Sequence, residues 1–572
     1  MRRLVSFGLS VLAIAGCAST GPSAAARQSN ESRPAAAATV PKRITVVIPN
    51  EPPILYYPLA PLSTRSGGGI LYDLIHPGLA VTDHENALRP ILVEQIPSLD
   101  NGLWKLLLDG GMSTTWNLKP GVVWHDGRPL TSADLAFTLQ VVADRELAAL
   151  RNSSYDLIQS VDTPDERTLT INWSKPFIDA DRTFTYQGTI AYALPLPKHI
   201  LESVYPSNKA GFLDLPYWGL EFVGLGPYKI GKWAQGSHMT LTAFDRFVMG
   251  RPKIDEIEAR FIPDQNTIIS NVLAGSVDLF SGATIGVDQA LQLREQWKGG
   301  KVNIVLNNWV VAYPQMVEPQ PPIVLNLQFR RALMHAIDRQ GMVDGLMYGL
   351  VPVTNSPLNP TTREYKATQS SVVDYPFDPQ RAGQLIGDIG YTRGPDGMFR
   401  DAAGQPLYAE IRGAASRDIH VKGLFPIVDN WQKVGVGSDP IVISAQQASD
   451  LQDQATFHAF QLVRQDYGLN RLIAYHSSQA RLPERNYTGS NNGRYINVEL
   501  DALIDRYVVT VPWDERMQAA GRILHHLTDQ VALMPLFYDM EASLVSDRMQ
   551  NVSPLAQSAT SQMWNGHEWD VR

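Results

Sequence analysis

The sequence predicts an α/β fold divided into several lobes, and three observations carry that expectation. β-branched runs, turn dipeptides and capped helices alternate from residue 43 onward. No period of 20–50 residues repeats, which excludes solenoids and propellers. The 572 residues, 44% hydrophobic and 19% charged, suffice for about three to four cores of ordinary size. With 49 basic against 57 acidic side chains, a net charge of −8, the chain has no global positive field, so nucleic acid is not an expected partner.

Taken in order, Met1-Arg2-Arg3 and the apolar run Leu4 to Ala15 read as an export signal, since a bilayer span needs about 20 residues. The run ends in Ile14-Ala15-Gly16-Cys17, which resembles the bacterial lipobox and makes Cys17 the expected lipidation site. It is the only cysteine, so no intramolecular disulfide and no cysteine zinc cluster is expected. Residues 1–17 are then the signal peptide, and 18–42, small, polar and Pro/Ala-rich, a flexible tether. Lys42 to Ile48 reads as a buried strand. Thr131 or Ser132 caps a helix carrying Leu135, Phe137 and Leu139, and Leu169, Ile171 and Trp173 alternate onto one strand face. Strands are expected at Gly224 to Ile230 and Met239 to Phe244, joined at Gln235-Gly236-Ser237. A helix over 266–274 and a short strand over 276–279 follow. Arg330 to Met347 reads as one helix, with Asp338 and Arg339 forming a local ion pair.

Catalytic templates are missing. The chain has no Gly-x-Ser-x-Gly elbow, no His-Glu-x-x-His helix and no Walker-type loop. Gly224-Leu225-Gly226 lacks the third glycine of a dinucleotide loop and reads as a turn. His525 and His526, adjacent on a helix, point about 100° apart and cannot easily share a metal. His125-Asp126-Gly127 reads as a turn in which His125 is a hydrogen bonder, with an acid/base pair as the competing reading. Gly67-Gly68-Gly69 fits a flexible loop or a close approach to a ligand. No cofactor and no metal is expected.

Several segments together resemble one family, the extracellular solute-binding proteins of family 5, over about residues 43–550. They are Trp124 to Asp134 (WHDGRPLTSAD), Gly224 to Tyr228 (GLGPY), Gly250 to Ile257, Ile262-Pro263-Asp264, Ala274 to Asp278, Phe329 to Arg339 (FRRALMHAIDR), Tyr375 to Ala382 and Gly394 to Gly397. The resemblance implies a two-lobed periplasmic-binding-protein-like (type II) fold with a hinge and an inserted domain. The first lobe is placed at 43–79, 221–305 and 540–572, the inserted domain at 80–220, and the second lobe at 306–539. It also implies a monomeric, lipid-anchored binding component of an ATP-driven importer, not an enzyme. Such a component delivers a small peptide or other solute to a permease and its ATPase. Lobe closure around the ligand is the signal the importer reads.

Peptide-binding relatives hold the ligand's amino group with the aspartate of a Trp-x-x-Asp-Tyr segment. Val463 to Tyr467 occupies that place, with Asp466 and Tyr467 retained and Val463 where Trp stands. Asp466 either grips an ammonium, pairs with Arg464 or Arg471, or faces water. Arg464 either takes a ligand carboxylate or lies on a solvated face. Tyr467, Trp431 and Trp218 are candidates for shaping the ligand or, as the alternative, core residues. Two other functions compete: a secreted hydrolase, which would need a nucleophile or metal set, and a sensor or scaffold of the same fold with a non-peptide ligand.

Overall fold

Val46, Val47 and Ile48 have almost no exposed surface because their strand, β1 (Arg43–Ile48), has a parallel partner on each side. A near-continuous apolar run is what a strand covered on both faces requires. The computed structural model containing it describes residues 40–60, 71–85, 87–187, 190–191, 193–282, 284–554 and 562–572. Cys17 and Gly67-Gly68-Gly69 lie outside the described residues. No described helix is long and apolar enough to cross a membrane.

The further strands used below are, in chain order, β2 (Trp104–Leu106), β3 (Met112–Asn117), β4 (Ile158–Asp165), β5 (Thr168–Trp173), β6 (Tyr228–Ala234), β7 (His238–Ala243), β8 (Glu256–Phe261) and β9 (Leu279–Gly282). They continue with β10 (Gly300–Pro314), β11 (Ile411–Ala414), β12 (Pro440–Ile443), β13 (Phe460–Gln465) and β14 (Met534–Ser546). The helices are α1 (Ser132–Ala143), α2 (Gln265–Leu273), α3 (Val287–Gln296), α4 (Leu327–Ala336), α5 (Arg339–Met347), α6 (Asp418–Lys433) and α7 (Trp513–Asp529). Ten strands form one mixed sheet in the order β6, β7, β8, β1, β9, β14, β10, β13, β11, β12. A separate four-stranded sheet has the order β2, β3, β5, β4.

Three main cores follow from this topology. Ile44, Tyr228, Ile257 and Trp569 belong to the first. Trp116, Trp124, Leu169, Ile171 and Trp173 belong to the inserted domain, and Trp309, Phe329, Leu333, Trp431 and Phe460 to the second lobe. Leu194, Leu196 and Trp218 pack in the first core beside Ile44 and Tyr228.

Local rules account for the family's motifs. Thr131 and Asp134 form a capping box at the start of α1. His125 Nδ1 accepts from the Gly224 N–H at 3.2 Å, so Nε2 carries the proton and donates to the Gly226 carbonyl at 3.0 Å. A Cβ on Gly226 would lie 2.3 Å from the Leu74 carbonyl oxygen, so only glycine permits that approach. The structure divides the single helix expected over 330–347. Asp338 leaves helical geometry and its carboxylate accepts from the Gly341 N–H at 2.8 Å, capping α5. Arg339 is buried and pairs with Asp374, not with Asp338 as expected. The strand expected over 276–279 begins at Leu279 and runs on to Gly282.

β10 and β14 are the hinge. They pair from Gly300 opposite Ser546 to Ala312 opposite Met534. Their 300–306/540–546 halves lie beside β9, and the other halves beside β13. The register shifts between Leu306 and Asn308, where an extra residue bends a ladder.

Candidate functional site

Asp539, an acidic residue of the largely apolar strand β14, lines the floor of a cavity, and Glu541 stands beside it on the same strand. Asp539 and Glu541 are two apart on β14, so strand alternation sends both to one side of the sheet. Arg464, on β13, meets them there. Its Nε donates to Asp539 and its Nη2 to Glu541 at 2.9 Å. The three side chains are 10%, 12% and 10% exposed. Burial works against the Arg464 charge, but the two carboxylates outweigh it and hold the guanidinium above its ordinary value. Asn307 and Asn308 donate amide hydrogens to Glu541.

The cavity above this floor has a volume of about 660 Å³ and is walled by both lobes. Asn50, Gln265 and the start of α3 come from the first lobe; the end of α5 and the start of α6 come from the second. The walls are bonded across the opening. Asp288 of α3 accepts from Tyr348 Oη at 2.7 Å and from Lys422 Nζ of α6 at 2.9 Å. Lys422 first and Tyr348 second hold the Asp288 carboxyl below its usual range. Arg417, at the N-cap of α6, lines the second-lobe wall beside Ser416 and is exposed. Behind it, the Arg464 N–H donates to His420 Nε2 at 2.8 Å. Burial, then Arg417 and Arg464, lower His420 to about 4, so the ring is neutral and carries its proton on Nδ1.

The residues expected from sequence divide between this cavity and the cores. Arg464 lies in the floor, engaged with two carboxylates, on neither a solvated face nor an open carboxylate-binding position. Asp466 stands two residues beyond it, partly buried and in electrostatic contact with Arg417. Tyr467 is buried. Its hydroxyl donates to the Leu306 carbonyl at 2.6 Å and accepts from Asn359 Nδ2 at 2.8 Å, tying the second lobe to the hinge strand. Trp431 and Trp218 do not line the cavity. Trp431 has no exposed surface, donates to the Leu333 carbonyl and packs on Phe460. Trp218 donates to the Phe212 carbonyl and packs among Tyr56, Phe212 and Tyr217. Among the described residues no group of His, Cys, Asp and Glu is arranged to hold a metal ion. His525 bonds the Ser371 carbonyl and His526 the Tyr495 hydroxyl, so the two rings face different partners.

Comparisons with known proteins place this arrangement. Residues 94–470 match the family described as bacterial extracellular solute-binding proteins, family 5 Middle. A Brucella ovis protein named as an ABC transporter peptide-binding protein is 27% identical over 275 residues, 47% of this chain and 48% of its own. The match therefore spans about half the length of that curated relative. Heme-binding protein A of Haemophilus influenzae is 24% identical over 467 residues, 77% of this chain and 79% of its own. Among solved structures, NikZ of Campylobacter jejuni in complex with Ni(L-His) superposes with a TM-score of 0.74 at 20% identity, covering 93% of this chain and 100% of NikZ. These neighbours are two-lobed binding proteins, as is this fold. The chain belongs to the bacterial extracellular solute-binding proteins of family 5.

Proposed function

We propose that this protein is the extracytoplasmic binding component of an ABC importer, lipid-anchored through Cys17, and that it captures a short peptide between its lobes for a membrane permease and ATPase. The observation that carries the reading is the cavity itself: both lobes wall it, Arg464 and Asp539 floor it, and Asp288 bonds from one lobe to the other. A solute filling such a cavity touches both lobes and favours the closed form by its differential affinity. In this reading Asp466 receives the peptide's ammonium and Arg417 its carboxylate, charge-assisted contacts of opposite sign suited to a zwitterion. The relative named for peptide binding supports the cargo class.

Native mass spectrometry of protein purified without denaturation from its own cells tests the cargo. The expected result is a spread of added masses matching short peptides, lost in Asp466→Asn, whose peptide affinity falls by about 2 kcal/mol or more. A single non-peptide mass, or unchanged affinity in the variant, overturns the assignment. For the anchor, Cys17→Ser is expected to move the protein from membranes to the soluble fraction; continued membrane association sinks that part.

A further inference from the structure

The floor of the cavity holds more negative charge than a zwitterionic peptide can use. Arg464 is one cation against two carboxylates, and all three side chains are about nine-tenths buried. Arg417 adds a second cation, which faces Glu541, Asp539 and Asp466, so two positive and three negative groups meet near the floor. One negative charge is left over.

That excess has an address. Glu541 shares Arg464 with two amide donors, Asn307 and Asn308, so its charge is spread over neutral groups as well. Asp539 bonds Arg464 through Oδ2 and also lies in the field of Arg417, without amide donors of its own. Among the described residues no donor reaches its second oxygen, Oδ1, although the residue is only 8% exposed and lines the cavity. Oδ1 keeps solvent-accessible surface at the cavity, so it is open to a positive donor on the cargo. The outer charges cannot supply that donor. Lys422 sits between Asp288 and Asp418, again one cation against two carboxylates, and at 45% exposure it is screened by solvent.

From this geometry we infer that Asp539 is a specificity-determining residue, taking a cationic side-chain group of the cargo, so that the preferred ligands are short peptides bearing a lysine or arginine. The inference rests on the peptide reading above for the other two contacts: Asp466 and Arg417 take the peptide's termini, and the Oδ1 of Asp539 takes an ammonium or guanidinium on the side chain.

The test is calorimetric titration of ligand-stripped wild-type protein with Ala-Ala, Ala-Lys and Ala-Glu at fixed ionic strength. Ala-Lys is expected to bind at least about tenfold more tightly than Ala-Ala, and Ala-Glu more weakly than either. Asp539→Asn, with folding checked by circular dichroism, is expected to collapse the Ala-Lys to Ala-Ala ratio toward one. If that variant does not fold, the charge series on wild-type protein still decides. Equal affinities across the series, or a preference for Ala-Glu, overturns the inference and leaves the peptide reading intact. If no dipeptide binds, the peptide reading fails, and agmatine and putrescine are titrated beside neutral butanol. Binding of the two cations alone then upholds the role of Asp539; binding of none, or of butanol as well, overturns it.

Discussion

At the level of single residues, side-chain type alone misleads where burial decides the role. Trp431 and Trp218 have the chemistry of ligand-stacking groups, yet each indole N–H is satisfied by a carbonyl of its own lobe and each ring is enclosed by neighbours. Trp431→Ala is therefore expected to cost about 3–5 kcal/mol of stability, the scale for removing a buried aromatic, while ligand affinity of the folded fraction stays unchanged. Urea titration beside calorimetry separates the two; an affinity loss without destabilisation would return Trp431 to the site. Arg464 and Asp466 were legible as candidates because they stand in a recognisable segment. The partners of Arg464 were not read, although a signal was present: Asp539 and Glu541 are two apart in a 13-residue strand otherwise nearly devoid of charge. Two acids on one face of a buried strand are expensive without a cation opposite. What the strand's own sequence does not contain is which distant residue supplies it, because pairing of 464 with 539 and 541 depends on sheet order.

At the level of elements, boundaries followed local chemistry wherever it was short-range. The cap at the start of α1, the β6–β7 hairpin and the one-sided burial of β5 were readable from composition and alternation, while the reciprocal bond from Asp134 was not read. The break between α4 and α5 was missed because the apolar spacing continues through it, and a capping aspartate looks like an ordinary helical acid until its backbone is seen. His125 offers a test at this scale. It joins the turn after Trp124 to the Gly224-Leu225-Gly226 segment through a lone pair on Nδ1 that protonation would remove. Burial lowers its pKa from 6.5 to about 4. The unfolded chain therefore takes up a proton near pH 6.5 and the folded one only near 4, so this stability is complete above pH 6.5 and is lost as pH falls toward 4. The stability gap between wild type and His125→Gln is expected to shrink by roughly 2–3 kcal/mol from pH 7 to pH 4. Urea midpoints at both pH values measure it, and a gap independent of pH would contradict the assigned proton.

For the whole molecule, the two lobes share one sheet through β10 and β14, so opening must bend those strands rather than separate two bodies. Their ladder is irregular at Asn307 and again between Val310 and Val311, and Asp288 supplies a contact from one lobe to the other. Its ion pair with Lys422 is 35–45% exposed and contributes at most about 1 kcal/mol; the Tyr348 hydrogen bond adds a similar amount. Asp418 is the natural control. It also bonds Lys422, at 2.8 Å, but from the same helix and four residues away, so it has no leverage on the lobes. Asp288→Ala is expected to move the unliganded ensemble toward open by about 1–2 kcal/mol and to weaken ligand binding about five- to thirtyfold, because closure then has to be driven by the ligand alone. Asp418→Ala should leave the lobe separation unchanged. Distances between fluorophores on α3 and α6 measure both variants without ligand. If Asp288→Ala leaves that distance unchanged, or if the two variants open equally, closure is governed by the hinge strands alone and the bond across the opening follows closure without stabilising it.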